Sequence, residues 1–194
     1  MARYVSPKVV NSPKSDNSAW NWDWARDGNT LLNQGGWKLL GKACAVYVQG
    51  SERKKDYHLP HHKWIKGALT VVWGGCRAAM QRLRATKIPL DAKRKAYNHL
   101  AAHYRGAFGK EPPKFKEVLN PDEQALFESL FDLYRLVVKE VANRVAEELG
   151  VEANVVEQYI DLMQNIDFAN AESLQDVISN NAKQVAEDIS SLLR

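Results

Sequence analysis

Apolar residues recur every three or four positions through the C-terminal third of the chain, a spacing that is typical of amphipathic helices. Asn120 followed by Pro121 supplies a start for the first helix, and Gly150 supplies a stop. The same spacing predicts a shorter helix over residues 152–166 and a last helix from Asn170. The apolar stripe of the first helix consists of Leu126, Leu130, Tyr134, Val137, Val141, Val145 and Leu149.

Two further helices are predicted in the middle of the chain, over residues 73–86 and 90–107, with Pro89 between them. The segment WKLLGKACAVYV follows Gly35 and Gly36. It predicts a short helix whose β-branched end is equally compatible with a strand.

The first part of the chain shows little periodicity. Residues 1–18 contain two Ser-Pro pairs and several Asn and Ser residues, which indicates an extended arm or a disordered lead-in. Trp20, Trp22 and Trp24 alternate, so a strand at this point would place all three on one face. Further along, the Pro-rich basic segment GKEPPKFKEV marks a domain boundary.

These patterns predict a mainly α fold. It would consist of a small Trp/His-rich helical module with irregular loops and a C-terminal module of three amphipathic helices. We therefore divide the chain into an arm (residues 1–18), a basic Trp/His module (19–116) and an acidic helical module (117–194). The acidic helices would form a bundle or mediate oligomerisation.

The two modules carry opposite charge. Residues 1–118 hold 22 Lys+Arg and 8 Asp+Glu, a balance of +14, whereas residues 119–194 hold 5 and 15, a balance of −10. The two balances sum to the net charge of +4. Such polarity predicts two modules with different partners, or two halves that attract each other.

Several function classes are not expected. No apolar run approaches the ~18 residues that cross a bilayer, and the N-terminus lacks the apolar core of a secretory signal, so we expect no membrane partner. Cys44 and Cys76 are too few for a disulfide framework, which favours a reduced intracellular setting. The chain contains no GxSxG, Walker A or GxGxxG motif, so we do not expect an enzyme.

The five histidines are candidates for a metal site. His58, His61 and His62 lie in DYHLPHHKWIKG, and His99 and His103 are spaced to share one helical face. Together they would supply enough imidazoles for Zn²⁺ or a similar ion. Since no HExxH motif or cysteine at ligand spacing accompanies them, we favour a packing role and predict no metal and no cofactor.

A basic surface is the second candidate. Its cations are interleaved with Trp64, Trp73 and Tyr97, which would either pack or stack on bases. A solvated face, or one that docks onto acidic protein surface, explains the same pattern. The polyanion-binding candidates are Arg53, Lys54, Lys55, Lys63, Lys66, Arg77, Arg82, Arg84, Lys93 and Arg94.

The stretch from DYHLPHH through YNHLAAHY to Pro-Pro resembles a small module of tailed-phage head proteins. That module stands at the trailing end of prohead-protease-like and related head-morphogenesis polypeptides. The resemblance covers residues 20–115, with Trp20, Trp24 and Trp37 similar to the segment that often precedes the module. The matching residues are Tyr57, Leu59, Pro60, His61, His62, Trp73, Gly75, Ala78, Ala79, Ile88, Pro89, Tyr97, His99, Leu100, His103, Tyr104, Pro112 and Pro113.

The resemblance implies a phage or prophage origin and a role near head assembly. It implies no catalytic residue, because the protease active site of such polypeptides belongs to a separate upstream domain. We therefore expect a non-enzymatic assembly or structural protein of the host cytoplasm or virion. Its basic module would bind a polyanion or acidic protein surface, and its acidic helices would bind copies of itself or other phage head proteins.

Two alternatives remain open from the sequence. The first is a DNA- or RNA-binding protein whose acidic helices compete with phosphate for the basic face. The second is a metal-dependent hydrolase or nuclease built on the histidines.

Overall fold

The structure, a computed structural model, describes residues 2–150. The two C-terminal helices predicted over residues 152–166 and from Asn170 lie outside the described residues. The described part divides into two compact units, residues 2–119 and residues 120–150. Within the described residues, no helix has the length and apolar character that crossing a bilayer requires.

The first unit is a mixed α/β fold. Three helices, α1 (Asn29–Ala43), α2 (Trp73–Arg82) and α3 (Leu90–Phe108), accompany two three-stranded sheets. The strands are β1 (Tyr4–Val5), β2 (Lys14–Ser15), β3 (Cys44–Val48), β4 (Tyr57–Pro60), β5 (His62–Ile65) and β6 (Ala68–Val72). The mainly α prediction with irregular loops is therefore wrong. Its error has a physical reason, because each strand spans only two to five residues and shows too little alternation to be recognised.

The segment that contains the first three histidines runs from one sheet to the other, because β4 belongs to the first sheet and β5 to the second. One sheet has the order β1-β3-β4 with antiparallel pairs. The other has the order β2-β6-β5, in which β5 and β6 form an antiparallel hairpin and β2 runs parallel to β6. The hairpin turns at Lys66 and Gly67, which have φ of 51° and 79°, as a two-residue turn between twisted strands requires.

The N-terminal arm is extended and adds one strand to each sheet. Its strand β1 pairs with β3, and its strand β2 pairs with β6. Further bonds hold it along its length: the Ser6 hydroxyl donates to the Ala45 carbonyl (2.8 Å), and the Lys14 ammonium donates to the Ala107 carbonyl (2.7 Å). The arm is thus part of the folded unit, close to the C-terminal half of α3.

The predictions for the middle helices are confirmed. Helix α2 continues into a 3-10 turn at Leu83–Ala85, and α3 begins directly after Pro89. Gly109 ends α3 in the left-handed conformation, with φ of 61°, as a helix-terminating glycine does. Along α3, Ala92, Ala96 and Leu100 are fully buried, so this stripe faces the core.

The tryptophan-rich segment is not a strand. Trp24 begins a single π-helical turn, Trp24–Gly28, that leads into α1, while Asp23 caps it by accepting from the Arg26 amide at 2.7 Å. Trp20 and Trp22 stack at 5.9 Å between ring centroids, and Trp22 meets Trp24 edge to face at 5.3 Å. The three rings therefore contact one another in sequence rather than sharing one strand face.

The second unit begins with helix α4 (Pro121–Leu149). Asn120 and Glu123 form a reciprocal cap, since the Asn120 side chain accepts from the Glu123 amide (2.9 Å) and the Glu123 carboxylate accepts from the Asn120 amide (3.2 Å). The predicted start is thereby confirmed, and the helix ends before Gly150 as predicted. Its large exposed apolar residues are Leu126, Leu130, Leu133, Leu136, Val137 and Val141.

A candidate metal centre and a neighbouring basic pocket

Three histidines meet in the interior of the first unit. His61 lies between β4 and β5, and His99 and His103 lie one turn apart on the same face of α3. Their exposed fractions are 0%, 3% and 0%. Among the His, Cys, Asp and Glu side chains that the structure describes, these three form a cluster whose candidate ligand atoms all lie within 4.8 Å of one another.

The three rings converge through the same nitrogen. Nε2 of His99 lies 3.1 Å from Nε2 of His61 and 3.1 Å from Nε2 of His103. We call this set, His61, His99 and His103, the three-histidine centre. The Nε2 atoms of His61 and His103 therefore both contact Nε2 of His99.

The other nitrogen of each ring is bonded to an oxygen. Nδ1 of His61 contacts the Leu59 carbonyl oxygen (3.0 Å), and Nδ1 of His99 contacts the Pro7 carbonyl oxygen (3.1 Å). Nδ1 of His103 contacts Oδ1 of Asn11 (2.9 Å). Because a backbone carbonyl only accepts, the Nδ1 atoms of His61 and His99 must carry the proton and donate it.

This arrangement leaves a proton missing between His61 and His99. A neutral imidazole has one ring proton, and in both rings that proton is already on Nδ1. The two Nε2 atoms, 3.1 Å apart, therefore face each other with lone pairs and no hydrogen between them. Turning the Asn11 amide would let Nε2 of His103 donate to Nε2 of His99, but it supplies no proton to Nε2 of His61. In either arrangement at least the Nε2 of His61 is a buried, unsatisfied acceptor, which costs about 1–3 kcal/mol.

Burial keeps the rings neutral. It lowers the pKa of His61 well below its usual value, with the neighbouring histidines lowering it further. Burial also lowers the pKa of His99 to about 3, with a contribution from His103, and lowers the pKa of His103 to about 4. At neutral pH, extra protons are therefore not available to fill the centre.

The spacing of the ring nitrogens suits a tetrahedral metal ion. Zn–N bonds of ~2.0–2.1 Å at the tetrahedral angle place two ligand nitrogens about 3.3 Å apart. The observed 3.1 Å is close to that value. Histidine ligands ordinarily donate their second ring N–H to a carbonyl or carboxylate, as His61 and His99 do here.

The backbone of His61 is held by the end of α1 and by β6. Its amide donates to the Ala43 carbonyl (3.0 Å), and its carbonyl accepts from the Val72 amide (3.1 Å). Gly75 of α2 packs so closely that a Cβ atom there would lie 2.8 Å from the His61 carbonyl oxygen and 2.8 Å from the Trp20 ring. The position of His61 is therefore set by the packing of α2 as well as by hydrogen bonds.

The other two histidines do not join the centre. His58, half-buried on β4, contacts the Tyr4 ring at 6.0 Å between centroids. His62 is buried beside the centre, 4.3 Å from the His61 ring and 5.0 Å from the His103 ring between centroids. Within the described residues, Nδ1 of His62 is buried without a hydrogen-bond partner.

The structure gives the predicted basic residues different surroundings. Lys54, Lys55 and Arg82 line a single pocket, whereas Lys93 is buried and its ammonium donates to the Arg84 carbonyl (3.1 Å). The others have separate surroundings. Arg53 pairs with Asp56, Lys63 lies over Trp20, Lys66 forms the hairpin turn, Arg77 is exposed, Arg84 donates to the Glu117 carbonyl and Arg94 lies over Phe115.

The predicted aromatic residues pack inside the unit. Trp64 packs against the apolar cluster around Leu40, and Trp73 contacts Tyr104 edge to face at 4.8 Å. Tyr97 is buried, and its hydroxyl donates to the Pro113 carbonyl (2.8 Å). Trp64 and Trp73 remain partly exposed, whereas Tyr97 does not.

Sequence reasoning weighed the three histidines as metal candidates, together with His58 and His62, and favoured packing; it missed the residues that support their rings. Pro7, Asn11 and Leu59 orient the three rings, and no local signal marks them, because the first two lie 92 positions from their partners. Leu59 has a left-handed backbone with φ of 60°, which is rare for a residue with a branched side chain.

Comparison with known proteins adds no family assignment. Neither the protein-family models, nor the curated proteins, nor the solved structures contain a match to this chain.

Proposed function

We propose that this protein binds one divalent transition-metal ion, best fitted by Zn²⁺, through Nε2 of His61, His99 and His103. The observation that carries the proposal is the His61–His99 contact, in which two unprotonated nitrogens lie 3.1 Å apart in a buried site. An ion replaces the missing proton and turns a repulsive contact into two coordinate bonds.

Zn²⁺ fits the donor set for two reasons. Imidazole is a common ligand of Zn²⁺, Cu²⁺ and Ni²⁺, and the near-tetrahedral spacing favours Zn²⁺ over ions that prefer square-planar sites. The three Nδ1 bonds also orient the rings in advance, which lowers the cost of assembling the site.

The ion has a structural role in this proposal. The ring atoms are buried, so a substrate has no route to the metal through the described fold, and a hydrolase is not favoured. The centre joins the segment after β4 to α3, and the arm is attached through Pro7 and Asn11. A metal ion would therefore stabilise the long-range contacts that complete the first unit.

Metal analysis of the full chain, purified without a His tag, tests the proposal. We expect one Zn²⁺ per chain, and Zn–N distances of ~2.0–2.1 Å by X-ray absorption. The single variants His61→Gln, His99→Gln and His103→Gln are expected to lose the ion, while His58→Gln, outside the centre, retains it. A metal-free native chain that also fails to take up Zn²⁺ or Co²⁺ in titration contradicts the proposal, as does equal loss from His58→Gln.

A second function, assembly, is favoured by α4. Leu126, Leu130, Leu133 and Val137 are exposed, and their four-three-four spacing is that of a two-helix seam. The charge distribution along α4 indicates that a second copy of this helix, in antiparallel orientation, covers the exposed apolar seam. The first half of α4 carries only acidic charges, whereas in the second half Arg135, Lys139 and Arg144 balance three acids, so an antiparallel copy avoids placing the two acidic halves side by side.

The resemblance of residues 20–115 to a module of tailed-phage head proteins supports an assembly role of this kind. Under this proposal, pairing of α4 helices brings several copies of the metal-stabilised first unit together, in the host cytoplasm or the virion. Other phage head proteins are further candidate partners.

Sedimentation of the full chain tests the second function. We expect a concentration-dependent dimer. Leu133→Glu should raise its dissociation constant at least tenfold, while Glu128→Gln, on the same helix, should leave the dissociation constant unchanged. A monomer at every protein concentration contradicts self-pairing through α4 and leaves the metal proposal unaffected.

A further inference from the structure

A pocket of about 480 Å³ opens beside the segment that leads to His61. Its walls come from the 3-10 turn before β4, from β4 itself and from the end of α2. This volume lies within the ~300–1,000 Å³ typical of small-molecule sites. The lining residues are Trp24, Lys54, Lys55, Tyr57, His58, Leu59, Pro60, Arg82 and Thr86.

The charge of the lining is entirely positive. Lys54, Lys55 and Arg82 contribute cations, and no lining residue is acidic. The closest acid in sequence, Asp56, is already bonded to the Ser51 hydroxyl and to the Arg53 guanidinium (2.8 Å). An anion that enters the pocket therefore meets uncompensated positive charge.

The cations differ in how firmly they are held. The Lys54 ammonium donates to the Trp24 carbonyl (2.9 Å) and to the Asn29 side chain, so its position is fixed. Lys55 and Arg82 are exposed, and in the described part of the chain neither forms an ion pair. One anchored and two adaptable cations form a suitable receptor for the oxygens of a phosphate group.

The lining also offers an aromatic surface. Trp24 is partly exposed, whereas Tyr57 is buried and stacks with Trp37 and Tyr47. Trp24 and the smaller His58 ring are thus the rings of the lining that a ligand can contact. A flat heteroaromatic group next to a phosphate matches an indole next to three cations.

We propose that this pocket binds a nucleotide, with Lys54, Lys55 and Arg82 holding its phosphate and Trp24 contacting its base. The nucleotide is either a free mononucleotide or one unit of a single-stranded nucleic acid, since both present the same chemistry. The proposal does not depend on the metal centre, because none of these four residues belongs to it.

Backbone strain in the lining supports a functional site. Leu59 has φ of 60° and precedes Pro60, a conformation that is rare for a residue with a branched side chain. Strained residues cluster at binding sites, where they shape a surface that relaxed backbone does not provide.

The test measures binding to the full, metal-analysed chain at low salt, with AMP, inorganic phosphate and a ten-residue oligo-dT as probes. We compare the native chain with the double variant Lys55→Ala/Arg82→Ala. The matched control is Lys38→Ala/Lys42→Ala, which removes two exposed lysines of α1 outside the pocket.

We expect the pocket variant to bind AMP or oligo-dT at least tenfold more weakly, while the control variant binds as the native chain does. Saturable AMP binding that displaces oligo-dT identifies a mononucleotide site, and oligo-dT binding that AMP does not displace identifies a strand site. Equal losses in both variants, or no binding of AMP and oligo-dT to the native chain, overturn the proposal. Binding of phosphate alone, as tightly as AMP, overturns the role of Trp24.

Discussion

The carbonyl oxygen of Leu59 accepts a hydrogen bond from Nδ1 of His61 across 3.0 Å, from a backbone held in the left-handed region. That bond fixes the proton of His61 on Nδ1 and leaves Nε2 free to coordinate. Leu59 also lines the basic pocket. One strained residue therefore contributes both to the three-histidine centre and to the pocket beside it.

The strain at Leu59 is testable with a pair of substitutions. Both Leu59→Ala and Leu59→Gly remove the buried side chain and are expected to destabilise the fold by about 2–5 kcal/mol. Since glycine tolerates a positive φ and alanine does not, Leu59→Gly is expected to be the more stable of the two by about 1 kcal/mol. Urea unfolding measures the difference. The reverse order would show that Leu59 is not held at positive φ in solution.

Zinc is expected to raise the thermal stability of the metal-free chain. An ion that binds the folded state alone adds about 2.7 kcal/mol at a free concentration one hundred times Kd. For a chain of this size, that corresponds to a rise in Tm of roughly 5–10 °C. Scanning calorimetry with and without Zn²⁺ measures the shift, and a chelator should reverse it. An unchanged Tm in the presence of bound zinc would contradict a structural role.

Gly106→Ala is expected to weaken metal binding without weakening the fold. Gly106 is exposed within α3, where alanine is the better helix former by about 1 kcal/mol. A Cβ atom there would overlap the Asn11 side chain, which contacts Nδ1 of His103. Displacing such a supporting residue typically costs 10–100-fold in affinity.

Zn²⁺ competition titration and unfolding of the metal-free form measure the two effects of Gly106→Ala separately. Asn11→Ala should reproduce the affinity loss, while Asn33→Ala, on the exposed side of α1, should not. Native affinity in both Gly106→Ala and Asn11→Ala would remove Asn11 from the description of the centre.

Gly75→Ala is expected to damage both stability and the centre. The added methyl meets the His61 backbone and the Trp20 ring at less than 3 Å, so one of them must move. Overpacking of this kind typically costs 1–3 kcal/mol. Chemical denaturation of the metal-free chain tests the stability, with Gly106→Ala as a glycine-to-alanine control that should not lose it. A fully stable Gly75→Ala variant would contradict the close packing of α2 on His61.

Periodicity over ten or more residues was enough to predict α2, α3 and α4, together with the cap at Asn120 and the stop at Gly150. The strands were missed because they are short and their alternation is interrupted. In β4 and β5, Pro60 and the paired histidines hide the pattern, although the Lys66-Gly67 dipeptide between two short apolar runs was a usable hairpin signal.

The sequence by itself determined helices α2, α3 and α4, the opposite charges of the two ends and the supply of imidazoles, with His99 and His103 one turn apart on a helical face. Only the tertiary structure decided that His61 meets them while His58 does not, and that Lys55 and Arg82 share a pocket while Lys93 is buried. The physical reason is that these outcomes depend on contacts between distant segments. The bonds from Pro7 and Asn11 to α3 span 92 positions, and the arm that makes them is held by strands of two residues.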